Sequence, residues 1–114
     1  MTVQTTVLTQ VDVATGAGVS TVGAATVNTQ TGQVTTETLA TAAAGTYTFT
    51  LTNTLINAKS IVMVSVGKGT ATTGGLTPVF VTPVAGSCVL LLQNVTAAAL
   101  NGTVTINFAV FNMS

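Results

Sequence analysis

The 114-residue chain has no histidine, no arginine and no tryptophan, and four formally charged side chains: Asp12, Glu37, Lys59 and Lys68. A general acid or base needs a titratable group near its working pH, and a nucleophile needs a base to activate it. Neither has parts to draw on here, so no enzymatic activity is expected. Asp12 and Glu37 would have to share one cleft to work as a catalytic pair, and a surface role is expected for them instead. No His, Cys and carboxylate combination has the makings of a metal site, so neither metal nor cofactor is expected. Gly67-Lys68-Gly69-Thr70 resembles a phosphate loop only superficially, because the first glycine and the following helix are missing. A hairpin loop is expected there.

A net charge of zero provides no long-range field to attract DNA, RNA or an anionic membrane. The longest apolar runs, residues 61–64 and 88–92, are far below the ~20 residues of a spanning helix. Met1-Thr2-Val3-Gln4-Thr5-Thr6 lacks the basic and apolar regions of a secretory signal, so an intact cytosolic start is expected. Without such a signal the sequons at Asn94, Asn101 and Asn112 carry little weight. Cys88 is the sole cysteine and sits in an apolar run, which predicts a buried, inert thiol.

What remains is 47% hydrophobic and 4% charged, against roughly a quarter charged in ordinary soluble domains, with threonine, asparagine and glutamine as the polar complement. Such a chain folds, and its near-neutral surface suits an assembly. Period-two alternation predicts strands at 46–52, with Tyr47, Phe49 and Leu51 inward, and at 103–111, with Ile106 and Phe108 inward. Residues 60–66, 79–84 and 87–93 are richer in Val, Ile and Leu and less strictly alternating, as in strands nearer the middle of a core. Turn residues separate them at Gly67-Lys68-Gly69, Gly74-Gly75, Ala85-Gly86 and Asn101-Gly102, and Pro83 signals an edge strand or a bulge. Residues 96–100 fit a single helical turn. The expected fold is all-β: a small antiparallel β-sandwich or jelly-roll-like domain over residues 40–114, preceded by an extended, β-prone N-terminal arm over residues 1–39.

The arm's valines are scattered among Thr, Gly, Ala and Gln without an aromatic residue, and Thr31-Gly32 fits a hairpin turn. Its strand propensity without a core of its own predicts pairing with a partner, with Val3, Val7, Val11 and Val13 as candidate interface residues. The remaining domain is small enough, without a disulfide or metal, to lean on self-association.

Residues 86–95 followed by 97–108 (GSCVLLLQNV, then AAALNGTVTINF) resemble the small β modules of tailed-bacteriophage virion proteins, closest to cyanophage-type capsid decoration, or cement, proteins. The likeness extends over residues 45–112. It implies a homotrimeric knob on the outer capsid surface, with arms laid across neighbouring copies of the major capsid protein. The alternative is a tail-fibre or host-attachment module that binds surface carbohydrate through Thr and Asn. The absence of tryptophan, and a lone tyrosine in register with Phe49 and Leu51, count against sugar stacking.

Overall fold

A computed structural model describes residues 15–20 and 23–112. They form eight strands and no helix: β1 (Thr15–Val19), β2 (Ala24–Thr26), β3 (Thr31–Thr35), β4 (Thr46–Thr52), β5 (Ile61–Lys68), β6 (Leu76–Val84), β7 (Ser87–Asn94) and β8 (Val104–Phe111). Two four-stranded sheets, ordered β1-β3-β8-β5 and β2-β4-β7-β6, face each other as a sandwich. From β3 to β6 each connection crosses to the opposite sheet. The chain then doubles back through the β6–β7 hairpin and returns to the first sheet in β8, a jelly-roll-like path.

The alternating segments behave as their period requires. Phe49 and Leu51 of β4, Leu90 and Leu92 of β7, and Val104, Ile106, Phe108 and Val110 of β8 point into one core, while the intervening threonines of β4 face out. Cys88 is wholly buried beside them, and desolvation raises its thiol pKa. The β6–β7 hairpin turns on Ala85-Gly86, where Gly86 takes φ +83°, a left-handed conformation that a Cβ would strain.

The expected arm needs correction. Residues 15–20 and 23–39 belong to the sandwich: β3 pairs with β8, Val27 and Val34 are in the core, and Leu39 bridges to Gly102. The structure therefore has no boundary between residues 39 and 40. Thr31-Gly32 is not a turn but the start of β3. These strands lack bulk because neighbours fill the space over their glycines, Val27 over Gly16 and Gly18 and Phe108 of β8 over Gly32. A Cβ on Gly32 would come within 2.7 Å of the Phe108 ring and 2.9 Å of the Gly16 carbonyl oxygen, so glycine there lets the ring lie against the backbone. The sandwich is also not wholly antiparallel: β1 runs parallel to β3, and β2 parallel to β4.

Two smaller expectations change as well. Residues 96–100 form no helical turn, with bends at 96–98, because Asn94 Oδ1 accepts from the Thr96 N–H and hydroxyl and fixes a side-chain-closed turn. β5 and β6, expected near the middle, are edge strands; β7, with β4 and β6 on either side, is central. Pro83 does sit on an edge strand, and a bulge between Pro78 and Phe80 interrupts that strand.

Candidate interaction surface

The few charges are dispersed. Lys59 lies in a loop at one end of the sandwich and Lys68 at the opposite end of β5, while Asp12 lies outside the described residues. Glu37 is the exception, since it is bound into the structure. One carboxylate oxygen, Oε1, accepts from the Ser20 hydroxyl and, at 2.8 Å, from the Tyr47 hydroxyl; Oε2 accepts from the Gly23 N–H at 2.7 Å. Ser20 and Gly23 flank the β1–β2 connection and Tyr47 stands on β4, so Glu37 clasps the N-terminal strands to the sandwich. Partial burial alone would raise its pKa, but the hydrogen bonds from Ser20, its own backbone, Tyr47 and Gly23 outweigh this and hold it below the ordinary value. Burial, and then the neighbouring carboxylate, push the Tyr47 phenol well above its usual range.

This clasp has a pH signature. A carboxylate with a depressed folded-state pKa contributes stability above its unfolded pKa and loses it as the pH falls through the folded value. The melting temperature should therefore decline from about pH 5 towards pH 3, and Glu37→Gln should flatten that decline and lower stability at pH 7 by about 1–2 kcal/mol. Parallel pH profiles of the two proteins check it; equal slopes would show that the clasp contributes nothing.

Among the described residues no group of three or more His, Cys, Asp or Glu gathers in one place. A shallow cleft of about 240 Å³ lies beside the end of β5, lined by Val66, Gly67, Lys68, Leu76 and Val104 among others. Its one charged group is Lys68.

The outer faces offer more. On the β2-β4-β7-β6 sheet, the threonines of β4 (Thr46, Thr48, Thr50 and Thr52) form a polar column. Beside it runs an apolar column in which Phe80 opposes Leu91, Val89 opposes Thr82, and Val84 opposes Ser87. The bulge creates this column. Before it Leu76 and Pro78 point inward; after it Val81 and Pro83 do, so the side-chain parity of β6 reverses and Phe80 is left 65% exposed. Among the described residues no charged side chain stands on this face. The other sheet exposes Ile61 and Met63 of β5 beside Phe111 and Ala109 of β8.

The candidate interface residues Val3, Val7, Val11 and Val13 lie outside the described residues. Sequence reasoning missed the Phe80 surface because Val79-Phe80-Val81 is apolar at every position. Such a run reads as a strand buried on both faces, although a bulged edge strand also produces it. Comparison with protein-family models, with curated proteins and with solved structures gave no match.

Proposed function

We propose that the chain is a viral structural protein, a decoration (cement) protein that binds the outer surface of a tailed-phage capsid as a homotrimer. In this reading it stabilises the shell by bridging copies of the major capsid protein. The observation that carries the proposal is the charge-free outer face of β6 and β7, where Phe80, Val84 and Val89 stand exposed beside a column of threonines. Solitary exposed apolar groups are ordinary, but a contiguous set with no charge around it suits permanent attachment. Each contact would be modest, and many symmetry-related copies would supply avidity.

Attachment through such a face depends on apolar burial rather than ion pairs. Co-sedimentation with undecorated shells should change less than about threefold between low and high salt, since exposed ion pairs are screened within about 8–10 Å and few exist to screen. Phe80→Ser should weaken binding at least tenfold, the scale of about 1.4 kcal/mol for a lost apolar anchor. Detachment at modest salt, or full binding by Phe80→Ser, would sink the proposal. One observation favours the carbohydrate-binding alternative: the exposed Phe80 ring is flanked by hydroxyl groups of the kind that bind sugars. Electron microscopy of the native particle separates the two, with shell-wide density for cement and tail-confined density for a fibre module.

A further inference from the structure

The flank formed by β5 and β6 is the least finished part of the core. Val64 and Val66 of β5 and Val81 of β6 point inward yet are only half buried, whereas Ile106 and Leu90, one strand further in, are wholly buried. The two edges of this flank differ. β6 carries Pro78 and Pro83, which have no N–H to offer, and the bulge between Pro78 and Phe80. β5 pairs with β8 on one side alone, and its first six residues, Ile61-Val62-Met63-Val64-Ser65-Val66, contain neither proline nor charge. Edges of this kind pair with another strand unless something blocks them. On the other flank, β2 is three residues long, and β1 carries Gly16 and Gly18.

The strand that fits β5 is in this chain. From residue 3 to residue 13 every odd position is β-branched (Val3, Thr5, Val7, Thr9, Val11 and Val13), and the even positions between them are polar except Leu8. Extended beside β5, this segment would continue the row of Val62, Val64 and Val66 with its odd face and cover the half-buried flank. We propose that residues 2–13 of one copy add as a further strand to the free edge of β5 in a neighbouring copy.

The neighbour, rather than the same copy, is indicated by topology. β1 is at the opposite edge of the sheet from β5, about 14 Å away at three strand spacings, and runs parallel to it. Pairing within one copy would require the chain to cross the end of the sandwich between residue 13 and the start of β1 at Thr15, where two residues reach at most about 7 Å. Each copy then gives one strand and receives one. Such an exchange closes either as a reciprocal pair or as a ring, and a ring of three accords with the proposed trimer.

Light scattering on the full-length chain tests this without any shell, so its outcome is separate from that of the attachment experiment. The wild-type chain should form a closed oligomer. Val7→Asp/Val11→Asp should abolish the donor strand and Ile61→Lys/Met63→Lys the acceptor edge, each weakening self-association at least 100-fold. Ile61 and Met63 are 53% and 61% exposed, so lysine is compatible with the fold, and circular dichroism checks this. Mixing the two variants should restore association as a heterodimer, because one retains an intact edge and the other an intact donor. A monomeric wild-type chain, self-association in either variant, or failure of the mixture to associate would overturn the proposal.

Discussion

Phe108→Ala should destabilise the protein by about 3–5 kcal/mol in urea denaturation, towards the upper part of the range for truncating a buried aromatic side chain. The side chain is 4% exposed, and its ring rests against the backbone of Gly32. Gly32, directly opposite it on β3, has no side chain that could relax into the cavity. Phe111, three residues on, faces outward and is half buried; Phe111→Ala should cost less than about 1.5 kcal/mol. A loss below about 1 kcal/mol for Phe108→Ala, or equal losses at the two positions, would overturn the in-out assignment of β8.

Asn94→Leu should be comparably damaging, at about 3–5 kcal/mol, although it conserves volume. Asn94 is completely buried at the end of β7 and serves three loops at once. Its Nδ2 donates to the carbonyl oxygens of Thr41, Ala42 and Ala98; its Oδ1 accepts from the N–H groups of Gly75 and Thr96 and from the Thr96 hydroxyl. Leucine would fill the space and leave these groups without a partner, at roughly 1–3 kcal/mol for each one that water cannot reach. A fall in melting temperature of roughly 15 °C or more is expected, given about 4–8 °C per kcal/mol for domains of this size. Asn101 provides the contrast. It holds the N–H groups of Thr72 and Thr73 from an exposed position, so its replacement by alanine should cost about 1 kcal/mol. If Asn94→Leu melts like the wild type, the loops do not depend on this hub.

The parts of the fold legible in the sequence are those whose strands carry their own apolar face. Residues 46–52 and 103–111 alternate strictly, and Phe49, Ile106 and Phe108 are buried as that alternation requires. β3 was illegible for a local reader, since Gly32 looks like a lack of core when it is the receptacle for a ring supplied some 75 positions later. A pattern read within a short window cannot register that complement. The reversal of parity in β6 is hidden similarly, because one extra residue in an all-apolar run leaves no mark in the alternation. Glu37 was legible as a carboxylate but not as a clasp: Ser20 and Tyr47 lie 17 and 10 positions from it and meet it through the stacking of the two sheets.

The strand order has a consequence for how the molecule can be made. β8 stands between β3 and β5, so two strands translated earlier in one sheet have no connection to each other until β8 exists. The β2-β4-β7-β6 sheet, by contrast, has all its strands once residue 94 has been added. Until residues 104–111 have been added the sandwich stays half built, and the contacts that close it join strands far apart in the sequence, the arrangement that folds slowly for its size. Unfinished chains lack the strand that pairs with the inner edges of β3 and β5, and so expose both edges at once.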